Sequence, residues 1–513
     1  MDNRGSRSYC SSYASAVAAA GPAHSAHPQA TRAAAGANPR PGTPESKESQ
    51  SMHVFQRRKT LATALAACTL AATAAGCSSS SGSANSGAGA VNSTAPVTIS
   101  VDCEPPTSQA QPRANWIADV AAFEKLHPNI TIKSDDANPC DDPTTFNAKL
   151  AGGKMDNVFY TYFTDAANVI SSGQSADIQQ YAKQINNYAA VQPSLLEVYR
   201  QGQAASGDLY GIPTGNYSLG LVYNKTLFQQ AGLDPNQPPT TWDQVEQDAI
   251  AITKLGHGDI GYADYSADNT GGWHFVAELY SRGGTAVTSD GQHADFDNAD
   301  GQAVLDYLHK LRFTDNVMGT NQGLQYNDLL QMMASGKLGM YVGDPSTLTT
   351  MHSNFGASYD NLAVGPMPGE SATLLGGSGY MFNKNDTPEQ IEAGIEWINY
   401  EFETSGIGQF DYQRLASQKQ PVGLPEPDLW EGAVADKDNA AKTRYANLPT
   451  ANFSTYVAAL PKMKLIIEPP QAQAIYAKGD AAMFAVLTKA NANVPQLLST
   501  FAGQANTILS NAQ

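Results

Sequence analysis

Residues 207–245 read G-D-L-Y-G-I-P-T-G-N-Y-S-L-G-L-V-Y-N-K-T-L-F-Q-Q-A-G-L-D-P-N-Q-P-P-T-T-W-D-Q-V. The alternating run Leu219 to Tyr223 predicts a strand, and K-T-L-F-Q-Q-A-G-L a short helix that stops at Gly232. The Pro-rich turn Asp234 to Pro239 cannot be crossed as helix. Thr241, with Gln244 three residues on, has the form of a capping box and opens the next helix.

Upstream, V-T-I-S-V (Val97 to Val101) predicts a strand, and a helix follows with Trp116, Val120, Phe123 and Leu126 on one apolar face. Asn129 to Lys133 returns as a second strand, so the order β-α-β implies a parallel pair. A third strand, Asn157 to Tyr160, leads into Y-T-Y-F-T-D. Ligands in open α/β sheets lie outside the carboxyl ends of strands. That rule makes Tyr160, Tyr162, Phe163 and Asp165 cleft candidates, and Asp102 and Glu104 follow the first strand in the same way. The alternative leaves Tyr160 in the core and Asp165 as the cap of the next helix.

Further along, Ile260 to Tyr265 predicts a strand before A-D-N-T-G-G-W-H-F, and Trp273 is placed beside a flexible Gly-Gly loop or as the first core residue of its helix. Helices are predicted over Asp300 to Arg312, Asn327 to Ser335 and Gly479 to Leu509, and a capped one begins at Thr387-Pro388 with Gln390 completing the box. Ile391, Ile395, Ile398 and Phe402 form its buried stripe.

G-x-L-Y-G-I-P, L-V-Y-N-K-x-L-F-x-x-A-G-L-D-P and P-x-T-W-D together resemble the extracellular solute-binding proteins, family 1, of ABC importers, in their sugar-binding, maltose-binding-protein-like branch. The resemblance implies a periplasmic-binding-protein-like α/β fold, two α/β lobes joined by three crossover segments with the ligand cleft between them. The first lobe is expected over 97–213 and 376–420, the second over 214–375 and 421–513. On the same resemblance, Asn216 and Tyr217 belong to the first crossing and Gly377 and Ser378 to the second. Asp344 and Ser346 follow a strand entering the cleft, and Tyr160 and Asp165 match the family's aromatic platform and carboxylate. In its loop-side placement, read from the residues alone, Trp273 is expected to lie against the apolar face of a pyranose.

A chain of 513 residues favours two domains. Its net charge of -17 includes residues 1–76, where eight basic residues face three acidic ones, so the remainder carries -22. That acidic body argues against a nucleic-acid partner. Residues 1–51 are Ala-, Ser-, Pro- and Gly-rich and expected to be disordered, an extension preceding the true initiator Met52. Arg57, Arg58 and Lys59, the apolar run Leu61 to Ala75 and the closing A-A-G-C predict a signal over 52–76 and a lipobox at Cys77. The Ser-rich stretch 77–96 is then a tether from a lipid anchor on the outer face of a bacterial cell membrane.

Of the five cysteines, Cys10 and Cys68 lie in residues 1–76, Cys77 opens the tether, and Cys103 and Cys140 are expected to pair as a disulfide. No C-x-x-C, G-x-x-x-x-G-K-[ST] or H-E-x-x-H motif occurs, so no metal or cofactor is expected. Gly376-Gly377-Ser378-Gly379-Tyr380 fails the nucleophile-elbow pattern at its last position. The expected function is capture of a mono- or oligosaccharide by a monomeric receptor that delivers it to the transmembrane subunits of an ABC permease. The alternatives are a glycosidase, which needs two acids drawn from Asp102, Glu104, Asp165 and Asp344, and a surface lipoprotein that keeps the fold without transport.

Overall fold

The computed structural model describes residues 95–107, 109–136, 143–200 and 207–511. The leader, Cys77, all but the end of the tether, and Cys140 lie outside the described residues. Cys103, the one cysteine among them, is disulfide-bonded.

Among the described residues ten strands form two sheets: β1 Val97–Val101, β2 Ile130–Ser134, β3 Val158–Tyr162, β4 Gly211–Ser218, β5 Gly220–Asn224, β6 Ile260–Tyr262, β7 Leu338–Gly343, β8 Leu362–Gly365, β9 Ala372–Phe382 and β10 Lys464–Ile467. The first sheet has the order β10-β9-β3-β1-β2, with β4 also on β9; the second has the order β6-β7-β5-β8. β1 pairs in parallel with β2 and β3, whereas β9 runs antiparallel to both β3 and β4. The apolar residues sort into two large cores, one around each sheet.

β4 and β9 carry the chain between these cores. Ile212 packs in the first core and Leu219 in the second, and on β9 Leu374 belongs to the second while Leu375 belongs to the first. Their register sets Asn216 opposite Gly377 and Tyr217 opposite Gly376. A Cβ on Gly376 would fall 2.3 Å from the Tyr217 ring, so the bare backbone is what lets that ring lie across the strand.

Both predicted capping boxes form, at Thr241 with Gln244 and at Thr387 with Gln390. Replacing such a cap by Ala typically costs about 1 kcal/mol. The helix Ala110–Leu126 buries Trp116 and Phe123 edge-on against Trp397 at 5.3 and 5.4 Å. Leu126, expected on that face, is the helix's last residue and is 67% exposed.

Three further expectations need correction. β6 ends at Tyr262, after which Asp264 turns its carboxylate onto the Tyr265 N–H at 2.7 Å. The C-terminal helix is two, Ala472–Thr488 and Val494–Asn511. The second lobe does not run unbroken from 421: Leu424 packs in the second core, but Leu429, Trp430 and Ala435 return to the first, where Trp430 Nε1 donates to Glu403 at 3.2 Å.

Candidate functional site

Two cavities carry sequence-predicted residues. The larger, about 420 Å³, is lined by Tyr160, Tyr162 and Asp165 from the first core's side and by Asn269, Gln471 and Gln473 from the second. The smaller, about 140 Å³, takes Asn216, Tyr217, Gly377 and Ser378 as part of its wall. The sequence-predicted residues are therefore not brought together: three line the larger cavity, four the smaller, and Asp102, Glu104, Trp273, Asp344 and Ser346 line neither.

In the larger cavity Tyr160 and Tyr162 stand edge to face, centroids 5.1 Å apart at 87°. Tyr160 is also a core residue, packed edge-on to Tyr380 at 5.8 Å. Asp165 does not cap its helix, which begins after Tyr162 with no side-chain cap bond. Burial pushes the Asp165 carboxyl up to about 6.

Trp273 sits inside the helix Thr270–Ser281, 4% exposed, and meets the Tyr217 ring edge-on at 6.2 Å. The glycines before it are not a flexible loop. A Cβ on Gly272 would overlap the Tyr476 backbone at 2.2 Å, so Gly272 is what lets two helices cross closely and sets the depth of Trp273. Asp480, on the crossing helix, fastens this helix start by accepting from Asn269 N at 2.6 Å and Gly272 N at 3.0 Å. The Trp273 Nε1 donor has no protein partner.

Asp344 and Ser346 follow β7 and are buried. Asp344 Oδ1 accepts from the Ser346 N–H at 2.9 Å and from the Ser346 hydroxyl, while Oδ2 has no partner. Burial raises the Asp344 carboxyl above its usual range, against the pull of these bonds. Asp102 and Glu104 are engaged elsewhere. Asp102 Oδ1 accepts from the Tyr160 N–H at 2.8 Å, holding β3 to β1, and Glu104 pairs with Arg113 at 3.0 Å.

Sequence reasoning missed Glu468 and Tyr476. Glu468 Oε1 accepts from the Tyr476 hydroxyl at 3.2 Å; burial pushes its carboxyl up to about 8, with Asp165 adding to the rise. The Tyr217 phenol is raised by burial and then by Glu468, Asp344 and Tyr160, which places acids from both sides near one ring. The available signal was I-I-E-P-P, an acid closing a β-branched run and stopped by two prolines. Among the described residues no group of three or more His, Cys, Asp or Glu converges as a metal site.

The model of the bacterial extracellular solute-binding protein family matches residues 107–401, more than half of the chain. The chain belongs to this family. Members of it are substrate-binding proteins of the extracytoplasmic space. A binding protein of Brucella abortus (strain 2308) is 23% identical over 271 residues, 51% of this chain, which spans 62% of that relative's length. The Listeria monocytogenes ABC substrate-binding protein solved with cycloalternan superposes with a TM-score of 0.63 at 16% identity, over 80% of this chain and 99% of that one. UgpB of Mycobacterium tuberculosis, solved with glycerophosphocholine, gives 0.62 at 17% identity, over 82% and 99%. These likenesses establish the fold, that of solute-binding proteins of the maltose-binding type.

Proposed function

We propose that this solute-binding protein captures a neutral carbohydrate in the larger cavity and hands it to the membrane subunits of an ABC importer. The observation that carries the reading is the make-up of that cavity: tyrosine faces, five side-chain amides, one carboxyl and no Lys or Arg. Sugar hydroxyls need paired donors and acceptors, ring faces need aromatics, and about 420 Å³ falls within the ~300–1,000 Å³ usual for small-molecule sites. Tyr217, Trp273, Asp344 and Glu468, none of which lines this cavity, are assigned to the solute's surroundings as well. Solute touching both lobes stabilises the closed form by the difference in its affinity for the two states. The chain does this as a monomer, held to the outer face of the membrane by lipid on Cys77, with Cys103 bonded to Cys140.

A glycerophosphate ester is the second reading. The helices starting at Phe163, Thr270 and Ala472 contribute first-turn or flanking residues to the cavity wall, and helix N-termini attract anions. Asp165 and Asp480 already occupy two of these ends, which favours the uncharged ligand. Calorimetric titration with a sugar panel and with sn-glycerol-3-phosphate separates the two. Heat of binding from the phosphate alone would reject the sugar. Steady release of cleaved oligosaccharide would replace the receptor reading by a glycosidase.

A further inference from the structure

The smaller cavity has a chemistry of its own. Its walls include the rings of Phe410, Tyr412 and Trp430, and its volume of about 140 Å³ equals four or five waters at ~30 Å³ each. Three carboxylates border it, those of Glu426, Asp428 and Asp438, against one ammonium, Lys442. Asp428 is engaged, accepting from Asn439 Nδ2 at 2.9 Å.

Asp438 differs. It is 6% exposed; Oδ2 accepts from the Tyr412 hydroxyl at 2.7 Å, while Oδ1 is buried with no hydrogen-bond partner. A buried carboxylate oxygen left without a donor carries the full cost of its lost hydration. Lys442, one turn further along the helix Gly432–Tyr445, holds its Nζ 5.9 Å from the Tyr412 ring centroid, so this wall already receives a cation.

We propose that this cavity binds a primary organic ammonium ion. The N–H groups donate to the Asp438 carboxylate, the charge faces Glu426, and a small apolar body lies against Tyr412 and Trp430. A neutral alcohol of the same shape can fill the volume but brings no charge to the acids. Burial pushes the Glu426 carboxyl up to about 7 despite Lys442. Asn216 and Gly377 form another part of the wall, so the bound ion touches both crossing strands. The inference is independent of the sugar reading.

Benzylammonium and benzyl alcohol, titrated into the full chain by calorimetry, form a matched pair of probes. Benzylammonium should bind at least about tenfold more tightly, as expected for a charge-assisted hydrogen bond beside aromatic faces. Asp438→Asn, which keeps shape and an acceptor for Tyr412, should remove most of that preference. Lys442→Gln, which withdraws the resident cation, should strengthen benzylammonium binding. Equal affinity for the two probes, no effect of Asp438→Asn in a folded variant, or no benzylammonium binding by either wild type or Lys442→Gln at millimolar concentrations would each overturn the proposal.

Discussion

The acids at the end of β1 and those at the ends of β7 and β10 occupy equivalent places in an α/β fold, yet they do different work. Asp102 spends an oxygen on the Tyr160 N–H, and Glu104 is tied to Arg113, which also holds Asp136 at 2.7 Å. Asp344 keeps one oxygen without a partner, and Glu468 is matched by a single tyrosine hydroxyl. Position at a strand end therefore does not make a carboxylate a ligand group. On the proposed reading, hydrogen-bonding capacity left over after folding is what marks one.

Substitutions can break or sharpen this contrast. The largest effect is expected at a buried core ring: Trp273→Ala should cost about 3–5 kcal/mol of stability, as aromatic truncations in cores do, read by denaturant unfolding. Trp273→Phe, which keeps the core contact and loses only the indole N–H, should weaken sugar binding while the fold holds. Asp102→Ala should cost about 1–3 kcal/mol by orphaning the Tyr160 N–H, and affinity should fall only with stability. Asp344→Asn should do the reverse, lowering affinity about tenfold with little change in melting temperature.

Glu468 adds a pH signature. Its folded carboxyl titrates at about 8, so the native state keeps a proton that the unfolded chain, with an ordinary glutamate, has already lost. The stability it contributes is full below an ordinary glutamate value and is lost as pH rises through about 8. Glu468→Gln should therefore melt with a smaller fall between about pH 5 and pH 8 than wild type does. The smallest effect belongs to Glu104→Gln, which removes one surface-side ion pair and should change stability by less than about 1 kcal/mol and affinity not at all.

Much of the fold was legible because it is written locally. The capping boxes at Thr241 and Thr387, the β-α-β start and the strand Gly220–Asn224 each follow from residues within one or two turns of one another. The site was less legible because it is assembled from distant segments. Glu468 comes near Asp165 across some three hundred residues, and no local pattern announces such a meeting. The Gly-Gly pair before Trp273 looked like slack in the chain, but its use is a helix crossing with Gly479, whose Cβ position lies 2.6 Å from Gly272 Cα. The return of Leu429 to Ala435 to the first core was likewise hidden, since short apolar residues carry no mark of which core they will join.

The most direct test of the central claim is calorimetric titration of the full chain with neutral mono- and oligosaccharides, run in parallel on Trp273→Phe. Saturable, stoichiometric binding of at least one sugar without turnover, weakened about tenfold in the variant, is the predicted result. Binding of no sugar, or binding unaltered by Trp273→Phe, would contradict it.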